Sequence, residues 1–252
     1  MRIMFLNQGA RNPNSGDEYH ERVEQLLHSY ASPGTQVDLC YPDDDYDRAQ
    51  GDGSSPLGKA LTTPSLIRKT RWAEQNGYDA VIQSNNFDPA VEASRHAVRI
   101  PVLGLCRTTM LVAANLADRI GVTVPFHANL VMARRLMESY GVQQFVTDIR
   151  SLELDAVPGG EDVAIQRPKI FGRAAEVMRG LVEETDAECI VPLGGAIIPY
   201  IVDPKDLEAE VGAPVLNPKA VGIHTAEMYF RLGMSHSPIT YAAATIRSAV
   251  RA

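Results

Sequence analysis

The groups best suited to chemistry on a small molecule lie in two short turns, each directly after an apolar run. Ser-Asn-Asn at 84–86 follows DAVIQ, and Gly-Gly-Ala at 194–196 follows CIVPL. Side-chain amides can hold a carboxylate or an amide, and the backbone amides of a glycine turn can point at an anion or a developing oxyanion. The alternative is local geometry alone, an Asx-type turn and a tight glycine turn. The candidate binding residues in these turns are Ser84, Asn85, Asn86, Gly194, Gly195 and Ala196.

Other polar groups follow further apolar runs and could complete a binding site. Arginine pairs well with a carboxylate, and tyrosine or amide side chains can hydrogen-bond a substrate. Each of these groups also has an ordinary structural alternative, namely satisfying loop backbone, forming a surface ion pair or packing against a helix. These additional candidates are Asn7, Gln8, Arg107, Thr108 and Tyr200.

Three side chains are candidates for moving a proton. Cys106 follows PVLGL and opens a helix beside an arginine, where a thiol would have a lowered pKa. His127 follows GVTVP and His224 lies in the helix after APVLN, so either imidazole could act as a general acid or base. The alternatives are a buried cysteine that only packs, and histidines that cap or pack.

The composition argues against several classes of function. The 252 residues carry a net charge of -7 and contain no Lys/Arg-rich run, so neither nucleic acid nor an anionic membrane is expected as a partner. No apolar span suits a membrane helix or a signal peptide, and three distant cysteines suit a reducing cytoplasm, where we expect the protein to reside. Metal-ligand spacings and nucleotide-binding glycine loops are missing, so we expect no metal and no cofactor.

The elements that must position these groups alternate between strand and helix. Strand patterns cover 2–7, 35–41, 79–85, 100–105, 119–125, 145–154, 189–194 and 213–217. Helix patterns cover 17–31, 57–76, 89–98, 108–117, 128–140, 161–187 and 218–233. This alternation predicts an α/β fold with mostly parallel sheets. Helix-start chemistry occurs at Ser15/Asp17, Pro64-Ser65, Asp88-Pro89 and Asp203-Pro204, and the acidic segment 41–56 is typical of a surface loop.

Two segments of the chain share one plan. YDAVIQSNNFDPAVEASRHAVRIPVLGLC (78–106) and AECIVPLGGAIIPYIVDPKDLEAEVGAPVLNP (187–218) each contain a buried strand, a turn, an Asp-Pro helix start and a strand spelled Pro-Val-Leu. The repetition predicts two similar lobes in one chain. Because ligands of open α/β sheets bind beyond the carboxyl ends of the strands, the turns at 84–86 and 194–196 are expected to face one another across a cleft.

With these segments in view, the chain resembles the aspartate/glutamate/hydantoin racemase superfamily, most closely its hydantoin racemase branch. The resemblance spans nearly the whole chain and is carried by MRIMFLNQG, NFDPAVEASRHAVRIPVLGLCRTTMLVAANLADRIGVTVP, ARRLMESYGVQQFVTDIRSLEL and APVLNPKAVGIHTAEMYFRLGMSHS. It implies two pseudo-symmetric Rossmann-like lobes with the active site in the cleft between them. We expect one lobe to comprise 1–115 completed by 218–252, and the other to comprise 116–217.

The chain departs from this family at its two defining residues. The resemblance implies two catalytic cysteines at the ends of equivalent strands, which exchange protons on opposite faces of a carbon acid. Those positions fall at Asn85 (Asn86 if the turn shifts by one) and Gly195. An Asn amide is no useful base near neutral pH and glycine has no side chain, so two-thiol racemisation is excluded.

The sequence therefore predicts a cofactor-independent enzyme that acts on a small carboxylate or cyclic amide through a base other than the family cysteines. Isomerase, hydrolase or lyase chemistry would each fit. Two alternatives stay open: a racemase with relocated bases, and a binding or sensor protein that keeps the pocket without catalysis. We also expect a homo-oligomer.

Overall fold

Two parallel β-sheets frame the fold in the computed structural model, which describes residues 1–9, 17–43, 55–158 and 162–242. Leu6 pairs with both Cys40 and Gln83, so the carboxyl ends of neighbouring strands in the first sheet lie at one edge. The first sheet has the order β2-β1-β3-β4, formed by β1 (Arg2–Leu6), β2 (Gln36–Cys40), β3 (Ala80–Gln83) and β4 (Val102–Gly104).

The second sheet repeats this order. It runs β6-β5-β7, formed by β5 (Ile120–Val124), β6 (Val146–Ser151) and β7 (Cys189–Pro192). An isolated parallel bridge from Ile190 to Val215 stands where β4 lies in the first sheet. The predicted α/β class with two parallel, pseudo-symmetric halves is confirmed, although the strand expected at 213–217 is reduced to this bridge.

Helices join the strands and cover the sheets. Capping is visible at three starts, where Ser55, Asp203 and Asn217 each accept a hydrogen bond from the backbone of the first turn. No helix in the described part of the chain has the length and apolarity that a bilayer span requires. The helices are α1 (Asp17–Tyr30), α2 (Pro56–Gln75), α3 (Val91–Arg95), α4 (Leu105–Ala113), α5 (Leu130–Tyr140), α6 (Asp162–Thr185), α7 (Pro204–Val211) and α8 (Pro218–Arg231).

Two predicted helix starts are wrong. Pro64 lies inside α2, which begins at Pro56. Asp88 does not cap α3, because its carboxylate accepts hydrogen bonds from the backbone N–H groups of Cys106 (2.9 Å) and Arg107 (3.0 Å) and so caps α4. Most of the predicted acidic loop, residues 44–54, lies outside the described residues.

Helices α4 and α8 pack against one another where the two sheets meet. α8 also contacts α1, β3 and β4, whereas buried residues of α4 pack with the strands of the second sheet. The cluster around Cys106 and Met110 contains Val122 and Val191 from β5 and β7. The division at 115/116 and 217/218 remains a prediction, and the packing of α8 on the first sheet supports it.

Candidate active site

The two predicted turns lie next to each other. The side-chain amide of Asn86 donates a hydrogen bond to the carbonyl of Pro192 (3.2 Å), which links the end of β3 to the end of β7. Asn86 and Gly195 are buried, whereas Asn85 is half-buried and Ala196 is exposed. The turns therefore form one polar junction with a buried side and an accessible side.

The first turn is held by the residues that follow β1. The Asn7 carboxamide oxygen accepts from the Ser84 hydroxyl (3.1 Å) and from the Gln8 amide (3.0 Å). The Asn85 side-chain N–H donates to the side-chain oxygen of Gln8 (2.5 Å). The side-chain oxygen of Asn85 accepts from the backbone N–H of Phe87 (2.9 Å). The Asx-type turn is thus present, and both polar groups of the Asn85 side chain are engaged in shaping it.

The second turn needs its first glycine for conformational reasons. Gly194 has a φ of +96°, and a Cβ there would lie 2.6 Å from the Pro125 ring. The carbonyl of Gly194 accepts from the amide of Ile197 (3.0 Å), which closes the turn. Among the described residues, the backbone amides of Gly195 and Ala196 donate no backbone hydrogen bond. Their binding of an anion remains a prediction, and this arrangement leaves them available for it.

A lysine that the sequence analysis did not select reaches this junction from α8. The ammonium nitrogen of Lys219 donates a hydrogen bond to the Ser84 carbonyl. A Cβ placed on Gly195 would lie 2.5 Å from Lys219 Nζ and 2.8 Å from Asn86 Oδ1. The space above Gly195, where a cysteine side chain would start, is therefore bordered by an amine and a carboxamide oxygen.

Lys219 is withdrawn from water. Its exposed fraction is 1%, and its nitrogen lies 5.2 Å from the ring centres of both Phe5 and Tyr200. Burial lowers the pKa of Lys219 to about 7. No carboxylate of the described residues pairs with it, and burial alone accounts for the lowered pKa. A large fraction of the amine is thus neutral, and able to accept a proton, near pH 7.

The side-chain oxygen of Asn86, at the same junction, has no hydrogen-bond partner in the described part of the chain. Asn86 is 1% exposed, and its side-chain oxygen accepts no hydrogen bond from any described residue. Leaving a buried acceptor unpaired costs roughly 1–3 kcal/mol. The unpaired oxygen and the neighbouring amine together indicate a place for a polar ligand.

Lys219 escaped the sequence analysis because a lysine in the first turn of a helix is normally solvated. A signal was nevertheless present in the spacing. Lys219, Gly222, Ile223 and Ala226 follow an i, i+3, i+4, i+7 pattern, and all four are buried on one face of α8. The capping pair Asn217-Pro218 fixes where that face begins.

The expectation that the Cys106 thiol has a lowered pKa is wrong, whereas its catalytic role remains a prediction that this environment does not favour. Cys106 is fully buried in the cluster between α4 and the second sheet. Burial, reinforced by the neighbouring Asp88 carboxyl group, raises the pKa of this thiol well above its usual value. Cys106 therefore packs as a small apolar residue.

The two histidines do not reach the junction of the turns. His224 is exposed and pairs with Glu227 (3.0 Å), which also bonds Ser32 before the start of β2. That position is at the amino end of the first sheet, whereas the junction is at its carboxyl end. His127 follows β5 but points to solvent, with 78% of its side chain exposed and Glu153 as its partner (3.2 Å). Neither placement supports a role as the base.

The remaining candidates divide between the junction and the surface. Arg107 faces outward, where its guanidinium pairs with Glu92 (3.3 Å), so the surface ion-pair alternative describes it better than carboxylate binding. Thr108 lies half-buried in the first turn of α4. Tyr200 lies at the junction, with its ring beside Lys219. The described residues contain no cluster of ligands suited to a metal ion.

Comparisons with known proteins agree with this architecture. A family model described as Asp/Glu/Hydantoin racemase matches residues 9–226. A hydantoin racemase of Pseudomonas sp. (strain NS671) is 28% identical over 232 residues, covering 90% of this chain and 87% of that protein. Allantoin racemase from Klebsiella pneumoniae is similar in structure, with a TM-score of 0.80 at 22% identity over 98% of this chain and 94% of its own. Allantoin racemase from Pseudomonas fluorescens has a TM-score of 0.81 at 20% identity, covering 97% of both chains.

Proposed function

The chain belongs to the Asp/Glu/hydantoin racemase family, and on that premise we propose that it is a cofactor-independent enzyme that moves a proton at an acidic carbon of a small cyclic amide. This is the alternative of a racemase-type enzyme with relocated bases. The matching relatives from Pseudomonas sp. (strain NS671) and Rhizobium meliloti are both named hydantoin racemase, which favours this branch over hydrolase or lyase chemistry and over a purely binding role.

The observation that carries the proposal is the meeting of the two strand-end turns. Asn86 and Gly195, which follow equivalent strands of the two sheets, converge on one point that is both buried and polar. A carbon acid held there would be removed from bulk water and surrounded by hydrogen-bonding groups. Such preorganised groups stabilise the charge that develops as a proton leaves carbon.

The ring of a hydantoin-type substrate has the groups that this junction could bind. Its carbonyl oxygens would accept from the amides of Gly195 and Ala196, and a ring N–H would donate to the side-chain oxygen of Asn86. The carbon between a ring nitrogen and a carbonyl carries the acidic hydrogen. The similarity to proteins named hydantoin racemase and allantoin racemase supports this substrate class over a simple amino acid.

Loss of the family thiols restricts the mechanism without removing it. Proton abstraction requires one positioned base of suitable pKa, which contributes roughly 10²–10⁴-fold to the rate. A thiol is one such base and an amine is another. The proposed reaction therefore needs an acidic carbon, an oxyanion site and one basic side chain, and it needs no cofactor.

The proposal is tested by incubating the enzyme in D₂O with single enantiomers of 5-substituted hydantoins and of allantoin. Proton NMR follows loss of the ring C–H signal, and polarimetry follows loss of optical rotation. We expect enzyme-dependent exchange for at least one compound, above the rate in enzyme-free buffer. Absence of exchange across the whole panel contradicts the proposed function.

A further inference from the structure

We propose that the ε-amine of Lys219 is the base that moves the proton, in the space that the family resemblance assigns to a thiol on residue 195. The assignment rests on the proposed function. In this view the absence of a thiol at residue 195 and the presence of the buried Lys219 belong together. The base comes from helix α8 instead of from the turn at 194–196.

The geometry makes Gly195 a condition for the lysine. With any Cβ on residue 195, that atom would lie 2.5 Å from Lys219 Nζ and 2.8 Å from Lys219 Cε. Contacts below 3.0 Å require one of the groups to move, and Lys219 is 1% exposed, with the ring centres of Phe5 and Tyr200 5.2 Å from its nitrogen. The glycine therefore creates the volume that the amine occupies.

The unpaired oxygen of Asn86 is an independent indication of a ligand at the same place. Asn86 is nine-tenths or more buried, and its oxygen borders the same point above Gly195 as the lysine nitrogen does. A ring N–H of the substrate would satisfy this oxygen and bring the adjacent ring carbon toward the amine. Lys219 and Asn86 thus divide the work between proton transfer and orientation.

The proposed step balances with the groups named. The neutral amine takes the proton from the ring carbon, so a C–H bond breaks and an N–H bond forms. The electron pair of the C–H bond moves onto the adjacent carbonyl oxygen, giving an enolate beside the amides of Gly195 and Ala196. Return of a proton from the ammonium to the same face of the carbon restores the amine and retains the configuration, and exchange of that ammonium with water brings in solvent hydrogen. Inversion requires a proton delivered to the opposite face, so loss of optical rotation reports that second delivery separately from exchange.

The surroundings of Lys219 determine how this base responds to pH. The Ser84 carbonyl, the Asn86 carboxamide and the Phe5 ring face it and do not titrate, and the phenol of Tyr200 is the titratable group beside it among the described residues. The elements that pack against α8 are α1, α4, β3 and β4, and no charged group on them shifts the pKa of Lys219. The exchange rate is therefore expected to rise with pH as the ammonium loses its proton.

A purely structural lysine would fill the space and bond the Ser84 carbonyl without any chemistry. Lys59 offers a matched control for that role, because its nitrogen donates to the carbonyl of Phe87 (2.5 Å) at the other end of the same turn. Burial also lowers the pKa of Lys59. The variants Lys219→Met and Lys59→Met each remove one lysine–carbonyl bond from this turn while keeping a long side chain.

The test measures deuterium exchange on the best substrate of the panel. We expect Lys219→Met to lower the exchange rate by at least about 100-fold, and Lys59→Met to lower it by less than about threefold. The base assignment is overturned, with the proposed function intact, if Lys219→Met keeps more than about a tenth of the rate or if both variants lose it equally. If the wild-type protein exchanges nothing, the proposed function fails and the assignment fails with it.

Chemical restoration separates basicity from shape. Lys219→Cys is made in a background whose own cysteines are replaced (Cys40→Ala, Cys106→Ala and Cys189→Ala), because two of these are buried and would not tolerate alkylation. It is then alkylated in denaturant with 2-bromoethylamine or with 2-iodoethanol and refolded, and the same cysteine-free background with Lys219 intact, treated in the same way, is the control. Both products fill nearly the same volume, but the aminoethyl group alone carries an amine. We expect the aminoethyl product to regain exchange, with its pH profile displaced to lower pH by the thioether, and the hydroxyethyl product to stay inactive. Equal recovery by the two products overturns the assignment.

Discussion

At the residue scale, the site is defined by a glycine and a lysine that occupy one volume. Gly195 lacks the side chain that the family resemblance leads one to expect, and Lys219 fills the place from another element. No carboxylate in the described ranges of the chain neutralises the amine, and a buried charge without a partner is costly. Retaining such a residue makes physical sense when its neutral form is useful, which is the condition that a general base requires.

The mutual dependence of Gly195 and Lys219 can be measured as a coupling free energy. Gly195→Ala is expected to destabilise the wild-type protein by about 1–3 kcal/mol, because the new methyl group meets the buried amine. The same substitution in a Lys219→Ala background should cost far less, which gives a coupling of at least about 0.5 kcal/mol. Urea unfolding of the wild type, the two single variants and the double variant gives the free energies for this double-mutant cycle. Additive effects of the two substitutions would show that the two residues do not share the space.

The lowered pKa of Lys219 also predicts how stability depends on pH. Because the folded pKa is about 7 and the usual value is 10.5, the unfolded chain binds the additional proton between these values. The wild-type free energy of unfolding therefore rises with pH from about 7 toward about 10.5, and the penalty is fully present below about 7. Relative to Lys219→Met, the wild type should gain about 1.4 kcal/mol between about pH 6 and about pH 8. A difference between the two proteins that does not change with pH would contradict a buried, titrating amine.

The sequence was sufficient to locate the polar turns but not to choose the base. Residues 84–86 and 194–196 were predicted from strands that end in polar or glycine residues, and the structure places the two turns together. Cys106 and His224 were selected by residue type and local position. Burial raises the pKa of Cys106 instead of lowering it. His224 lies on the outward face of α8. Neither effect can be read from the local sequence pattern, because both depend on tertiary packing.

At the element scale, α8 is the helix that delivers the base. Its start is fixed by the Asn217 side chain, which accepts hydrogen bonds from the amides of Lys219 (3.0 Å) and Ala220 (3.3 Å). One turn later, Gly222 lets α8 approach α4, since a Cβ there would lie 2.5 Å from the side chain of Leu105. The cap fixes the position of Lys219 along the axis of α8, and the close approach of α8 to α4 fixes how far Lys219 is buried.

Substitution at Gly222 tests whether the seating of α8 controls the site. Gly222→Ala is expected to move α8 away from Leu105, cost about 1–3 kcal/mol of stability and lower the exchange rate without touching the substrate. Gly172→Ala is the matched control, because Gly172 lies inside α6 with nothing within 4 Å of an added Cβ. That substitution should stabilise the protein by about 0.5–1 kcal/mol through helix propensity and leave exchange unchanged. Thermal unfolding and the exchange assay, run on both variants, distinguish the two sites, and equal behaviour would contradict this role of α8.

The order of strands and helices could be predicted from the alternation of apolar and amphipathic segments. The residue that caps each helix could not always be predicted in this way. Asp203 caps the helix that it precedes, as its Asp-Pro signature predicts. Asp88 carries the same signature yet caps α4, because the chain turns back and brings Gly104 against its carboxylate. A local signature specifies the capping chemistry, whereas the tertiary fold decides which helix receives it.

At the scale of the whole molecule, two similar halves are joined through a shared core. The strand order β2-β1-β3-β4 corresponds to β6-β5-β7 followed by the Val215 bridge. Phe87, Cys106 and Met110 pack with residues of the second sheet. The junction of the two turns thus lies over a continuous apolar cluster, which holds their relative position.

This shared core predicts that the two halves unfold together. Trp72 is the single tryptophan and lies in α2, beside the first sheet, whereas far-ultraviolet circular dichroism reports helices throughout the chain. We expect the urea transitions followed by tryptophan fluorescence and by circular dichroism to coincide. Met110→Ala, which opens the shared cluster, should shift both midpoints together. A fluorescence transition clearly separated from the dichroism transition would contradict a common unfolding unit.

The most direct test of the central claim is the pH dependence of enzyme-catalysed deuterium exchange at the acidic carbon of a hydantoin-type substrate. If the neutral amine of Lys219 is the base, kcat/KM for exchange rises with pH and levels off above an apparent pKa near the value of about 7 that burial gives this lysine in the free protein. The Lys219→Met variant should lack that rise. A wild-type profile that is flat through neutral pH, or one that is unchanged in Lys219→Met, would contradict the account.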